Sequence, residues 1–283
     1  MTALRLATQT GTVLHGALFS TMPSDTVVIA ITGIHGNFYS NPFYDTLGET
    51  LSANGIDFIY AQTRNAFGKM QEINRQTGQM ETFGSFNEDF AKSIEDITAY
   101  IDFAQQQGYQ RIILAGHSLG ANKVIYYLSQ TQDSRIDQFL LLSPANVTHL
   151  TNSISKAQRA YIQAQIANNQ GQQLLPFELF GWLPCTANTA YQWLYSPILN
   201  NAHSQTDGDF SQIRQIRHSG ALLIGSLDRF TDGNPQDFLQ NINAHFPHPE
   251  RNRLIYIDKT GHTYQQKEQE LANQVLNWIK QGV

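Results

Sequence analysis

Residues 110–130 read QRIILAGHSLGANKVIYYLSQ. A short apolar run, RIILAG, ends in Gly116-His117-Ser118-Leu119-Gly120, and ANKVIYYLS follows at once with helical spacing. A strand must therefore turn into a helix within five residues. In a G-x-S-x-G turn at such a junction the serine sits on a sharp, strained bend. A β-carbon at either glycine would strike the neighbouring strand or helix. The bend lifts the hydroxyl above the carboxyl edge of the sheet, and the helix N-terminus beneath it favours developing negative charge. Ser118 is the candidate nucleophile. The five-residue pattern alone is common by chance; its place between an apolar run and a helix gives it meaning.

Working outward, the same alternation recurs. VVIAIT (27–32) is a β-branched run suited to a strand buried on both faces, and the loop GIHGNFYSNP follows it. FYDTLGETLS then has helical spacing and stops at Asn54-Gly55. DFIYAQT (57–63), QFLLLSP (138–144), GALLIGS (220–226) and RLIYIDK (253–259) are further strands. PQDFLQNINAHF and the C-terminal segment with Leu271, Val275, Leu276 and Ile279 are helices. Residues 64–84 read as irregular. Ser85 and Glu88 have the spacing of a capping box for a helix whose stripe is Phe90, Ile94, Ile97, Ile101 and Ala104.

Strand-helix alternation predicts an α/β fold: a mostly parallel, doubly wound sheet with helices on both faces. LRLAT and TVLHGALF have no helix between them and form an antiparallel edge. Residues 147–218 break the alternation. The expected organisation is a core over 1–146 and 219–283, with a helical cap inserted at 147–218. Within that insertion SKAQRAYIQAQIANNQ is an amphipathic helix that its Ala and Gln content explains.

A serine hydroxyl needs a base, and in this architecture the chain order is serine, acid, histidine. His262 follows the last strand through Asp-Lys-Thr-Gly, so its ring belongs over the sheet edge. His203, His218, His245 and His248 are expected on the surface. After QFLLLSP no carboxylate comes before Glu178, which empties that acid position. Asp228 stands just beyond ALLIG and is the candidate acid. Asp232 is the competitor, although Gly233-Asn234-Pro235 suits it to starting a turn. Two backbone amides should receive an oxyanion: Leu119, and Ile34 after Thr32-Gly33. A shifted reading takes His35-Gly36 as the key dipeptide and Asn37 as the donor; strand length favours Ile34.

These motifs, the VVIAITG loop, GHSLG, IGSLD and KTGH in that order, resemble the α/β-hydrolase superfamily over nearly the whole chain. The resemblance implies a cofactor-free Ser118–Asp228–His262 hydrolase with no metal. A shorter resemblance, to the branch containing fungal siderophore esterases, lies in QLLPF (173–177), TAYQWLYSP (189–197) and DGDF (207–210). It assigns no substrate. Many such hydrolases have histidine where Thr32 stands.

Bulk properties narrow the partners. The chain has 283 residues, 41% hydrophobic and 14% charged, with a formal net charge of −5. It has no basic block, which argues against nucleic acid. Its one cysteine, Cys185, forms no internal disulfide and no Cys-based metal site. MTALRLATQTG lacks the charged start and apolar run of a signal peptide, and no stretch approaches the roughly 18 apolar residues of a membrane span. A cytoplasmic protein with no membrane partner is expected. Residues 176–206 hold one charged residue, Glu178, beside Phe177, Phe180, Trp182, Tyr191, Trp193 and Tyr195. These aromatics either line a pocket or glue the insertion to the sheet. The expected activity is hydrolysis of a small to medium, largely uncharged carboxylic ester through an acyl-enzyme. A thioesterase, lipase or acyltransferase on the same triad, or a non-catalytic ligand-binding protein on the same fold, remain as alternatives.

Overall fold

The computed structural model describes residues 1–37 and 40–282. Phe38 and Tyr39, in the loop after the first buried strand, lie outside the described residues. Strands β1 (Thr2–Ala7) and β2 (Val13–Phe19) open the chain, followed by β3 (Thr26–Ile31), α1 (Phe43–Ser52) and β4 (Asp57–Ala61). β5 (Met70–Ile73) and β6 (Met80–Phe83) form a separate antiparallel hairpin. Then come α2 (Ser93–Gln106), β7 (Arg111–His117), α3 (Leu119–Thr131) and β8 (Ile136–Leu142). Three helices precede the next strand: α4 (Val147–Thr151), α5 (Lys156–Ala167) and α6 (Ala187–Tyr195). The chain closes with β9 (Gly220–Gly225), α7 (Pro235–Ala244), β10 (Arg253–Ile257) and α8 (Glu268–Gln281).

Eight strands form one sheet in the order β1-β2-β4-β3-β7-β8-β9-β10. β1 and β2 run antiparallel to their neighbours, and every pairing from β4 to β10 is parallel. The predicted edge and parallel body are both present. Val27 to Ile31 of β3 are fully buried, as a strand covered on both faces requires. Side chains of α2, α3 and α7 cover one face, and those of α1 and α8 the other. The strand order turns at β3, which has β4 on one side and β7 on the other. Ligands in such sheets bind beyond the carboxyl ends at this crossing. Among the described residues no helix is long and apolar enough to cross a membrane.

Two local expectations fail, for physical reasons. The stretch 64–84 is not irregular: Met70 pairs with Phe83 and Ile73 with Met80 in the hairpin. Its strands are four residues each and only one of the eight residues is buried, so no hydrophobic alternation announces them. Ser85 and Glu88 form no capping box. Ser85–Asn87 is a 3-10 turn, Phe90 lies in a second one, and α2 begins only at Ser93. Both polar side chains are spent elsewhere, as described below. A true capping box does occur at α5, where Ser155 and Gln158 bond reciprocally.

The nucleophile turn depends on contact between β3 and α3. A β-carbon built on Gly120 would strike the Ile31 and Thr32 backbone, and one on Gly116 would strike the Gly120 carbonyl. Backbone cannot swing aside as a side chain tip can. Gly120→Ala should therefore destabilise the protein by about 3 kcal/mol, the upper range for overpacking. Urea unfolding checks this, and an unchanged midpoint would refute the described contact.

Candidate active site

β7 delivers Ser118 in a conformation few non-glycine residues adopt, φ 56° and ψ −129°. Its N–H donates to the Leu142 carbonyl at 3.0 Å, which ties the turn to the end of β8. The candidate acid and base come from the neighbouring strand ends. Asp228 lies three residues beyond β9 and is almost fully buried. Its Oδ1 accepts from the Phe230 N–H at 3.0 Å, and its Oδ2 accepts from His262 Nδ1 at 2.9 Å. The two loops are laced together by Leu227 N–H to the Thr260 carbonyl, 2.8 Å, and Ser226 N–H to the Ile257 carbonyl, 2.8 Å.

Burial works against ionisation of Asp228, yet His262 and the Phe230 amide outweigh it and hold the carboxyl below its usual pKa. Asp232, the competitor, takes no part in this. It is exposed, in a left-handed turn, and faces His149 Nδ1 on α4 at 3.5 Å.

Ser118 and His262 line one cavity of about 300 Å³ with Gly33, Ile34, Leu119 and His117. No hydrogen bond joins the Ser118 hydroxyl to His262 among the described residues. Such bonds are often long before substrate arrives. Among the described residues the amides of Ile34 and Leu119, the candidate oxyanion donors, make no backbone hydrogen bond outside the regular elements. The Asn37 amide is engaged by the His35 carbonyl at 2.9 Å, which speaks against the shifted reading. A β-carbon on Gly33 would come within 2.9 Å of Ser118 Cβ, so only glycine lets this loop approach the nucleophile.

The cavity's outer wall comes from the segment between β8 and β9, namely Asn146, Leu150, Trp182 and Trp193, with Phe230 from the acid loop. Of the aromatics of 176–206, Trp182 and Trp193 line the cavity, Phe180 packs against both, and Tyr191 and Tyr195 meet at a tilt at the surface. A wider, open groove of about 940 Å³ between β1 and α2 contains neither Ser118 nor His262. Among the described residues no group of three or more His, Cys, Asp or Glu could hold a metal.

Some residues near the site gave no sequence signal. His117 is buried beside the nucleophile, and its Nε2–H donates to the His262 carbonyl at 2.8 Å. Burial first, then the nearby His262, pushes its pKa down to about 3. His35 bonds Ser85 Oγ through Nε2 at 2.6 Å, stands edge-on to Trp182, and has its pKa lowered by burial. His203, expected at the surface, is buried and bonds the Asp209 carbonyl.

The fold and this arrangement define an α/β-hydrolase. The family model described as serine aminopeptidase, S33, matches residues 24–207, and the chain belongs to that family. Comparison with curated proteins gives no match. Similar solved structures include DcsB in complex with its substrate analogue, at 14% identity and TM-score 0.70 over 99% of each chain. Est1E from Butyrivibrio proteoclasticus matches at 15% identity and TM-score 0.65, covering 99% of this chain and 98% of the other. A monoacylglycerol lipase from Paleococcus ferrophilus matches at 15% identity and TM-score 0.64, covering 94% and 98%.

The buried His117 makes stability depend on pH. The unfolded chain protonates this ring near pH 6.5, whereas the folded one resists until about pH 3. Its contribution is complete above pH 6.5 and is lost as pH falls toward 3. His117→Gln keeps a donor for the His262 carbonyl but cannot titrate. The variant should lose about 1.4 kcal/mol per pH unit of the acid-side slope. Urea midpoints measured on both proteins across this range check it; equal slopes would refute it.

Proposed function

We propose that the protein is a cofactor-free serine esterase acting on small to medium, largely uncharged carboxylic esters. The observation that carries this reading is the 2.9 Å Asp228–His262 pair facing the same cavity as the Ser118 turn. In the proposed mechanism His262 takes the Ser118 proton as Oγ attacks the ester carbonyl. Asp228 fixes the tautomer with Nδ1–H and stabilises the imidazolium. The Ile34 and Leu119 amides receive the oxyanion, where preorganised donors count most. The imidazolium then protonates the leaving alcohol. Water, deprotonated by His262, attacks the acyl-enzyme and frees the acid and Ser118. The segment 147–218 acts as the cap over this reaction.

Wall chemistry favours esters over peptides. Binding a free α-ammonium calls for a carboxylate, and none lines the cavity. Nor does any Lys or Arg, so a charged acid or phosphate group has no partner there. Two tryptophans and Phe230 suit an apolar or aromatic acyl or alcohol group. Est1E has been solved with ferulic acid bound, and the Paleococcus neighbour is a monoacylglycerol lipase, which agrees with ester chemistry.

A fluorophosphonate probe should label the wild type and not Ser118→Ala, and the variant should lose roughly three orders of magnitude of ester turnover or more. Asp228→Asn should lose roughly four orders through the wrong His262 tautomer, while Asp232→Asn stays near wild type. Near-normal hydrolysis by Ser118→Ala would sink the assignment, and so would a folded wild type that neither labels nor turns over.

A further inference from the structure

The helix that follows Ser118 carries one member of a charged pair that the proposed mechanism does not use. Lys123, one turn into α3 from the nucleophile, meets Glu88 with Nζ–Oε1 2.8 Å, their side chains 1% and 2% exposed. Lys123 Nζ also donates to Thr63 Oγ1 at 3.1 Å, and Asn65 Nδ2 donates to Glu88 Oε1 at 2.7 Å. Replacing a buried ion pair by apolar residues of similar size is often neutral for stability, so stability alone does not explain its presence.

Its neighbours suggest what it does. The backbone around Glu88 is the docking strip for α6. The Phe86 carbonyl accepts from Thr186 N–H at 2.8 Å and Thr189 Oγ1 at 3.3 Å. The Glu88 carbonyl accepts from Thr189 Oγ1 at 3.3 Å and Gln192 Nε2 at 3.1 Å. Gln192 Oε1 accepts from Phe90 N–H at 2.9 Å. The next residue of α6, Trp193, is cavity wall. On the other side, the Asn65 carbonyl accepts the His35 N–H at 3.3 Å, and Ser85 holds the His35 ring. One ion pair thus ties together the nucleophile helix, the loop carrying Ile34, and the helix carrying the aromatic wall.

We propose that Lys123 and Glu88 are positioning residues: they fix the aromatic wall at a set distance from Ser118 and so set which acyl and alcohol sizes fit. The selectivity half rests on the esterase reading; the positioning half does not.

The test compares wild type, Glu88→Gln, and the double variant Lys123→Met/Glu88→Met, which removes both charges at once and guards against simple misfolding. Amide hydrogen exchange in α6 should quicken roughly tenfold in both variants while α8 and β7 keep their protection. The kcat/KM ratio between nitrophenyl cinnamate and nitrophenyl acetate should fall roughly tenfold, the size expected when a pocket wall shifts. Unchanged α6 exchange overturns the proposal, as does acceleration in α8 equal to that in α6, which marks mere destabilisation. An unchanged ester ratio beside faster α6 exchange overturns the selectivity half. A wild type that cleaves neither ester overturns the esterase reading, and exchange then decides the positioning half alone.

Discussion

Between the Ile31 carbonyl and Gly120 there is no room for a single methyl group. That contact between β3 and the first turn of α3 constrains everything above it. It forces the chain from β7 into the helix without a loop, and Ser118 absorbs the bend at φ 56°. Holding a serine there costs roughly 1–3 kcal/mol, which only a rigid surround can sustain. The surround is the centre of the parallel sheet, where β3, β7 and β8 are buried on both faces. Because β3 also leads into the Ile34 loop, the close approach that bends the chain at Ser118 brings that loop beside it. In the proposed reaction, nucleophile and anion donor are thus set by one packing constraint rather than by two loops that must find each other.

The acid and base obey a second constraint of the same kind. A side chain on Gly225 would run into the Thr260 and Gly261 backbone, so the β9 and β10 loops lie directly against each other. Two backbone hydrogen bonds lace them, and the Asp228–His262 bond crosses the same seam. His117 then braces that seam from the elbow by bonding the His262 carbonyl. The geometry that brings Ser118, Asp228 and His262 together is therefore largely backbone geometry, and this explains why their meeting could be expected from the chain. Ser118, Asp228 and His262 each stand at a countable distance from the end of an apolar run, and sheet order fixes which strand ends are neighbours. The expectation for Ile34 rests on the same kind of count, the length of VVIAIT.

What the sequence did not disclose lies in side chains that meet across long separations. Ser85 and Glu88 have the spacing of a local cap, but their partners, His35 and Lys123, are far away in sequence. Local spacing outvoted a tertiary pairing that no periodicity encodes. Lys123 sits in a helix of ordinary pattern, and nothing in ANKVIYYLS marks its ammonium as buried. The β5–β6 hairpin stayed hidden because short, exposed strands lack an apolar face. His203 was misplaced on the surface because burial of a single histidine depends on a carbonyl, Asp209, that sequence spacing does not single out.

The electrostatics of the cavity follow from how these polar groups are placed. Two buried ion pairs, Lys123 with Glu88 and Arg64 with Asp96, lie outside the cavity wall, and the carboxylate of Asp228 stands behind His262. Among the described residues, three titratable side chains, all histidines, are on the cavity wall. Burial lowers the pKa of both His117 and His35, that of His117 to about 3. His262 alone of the three has a carboxylate on its ring, with Asp228 held ionised behind it. In the proposed reaction the serine proton therefore has a single destination. A neutral His117 adjoining the nucleophile adds no positive charge that would repel the imidazolium at its most costly moment.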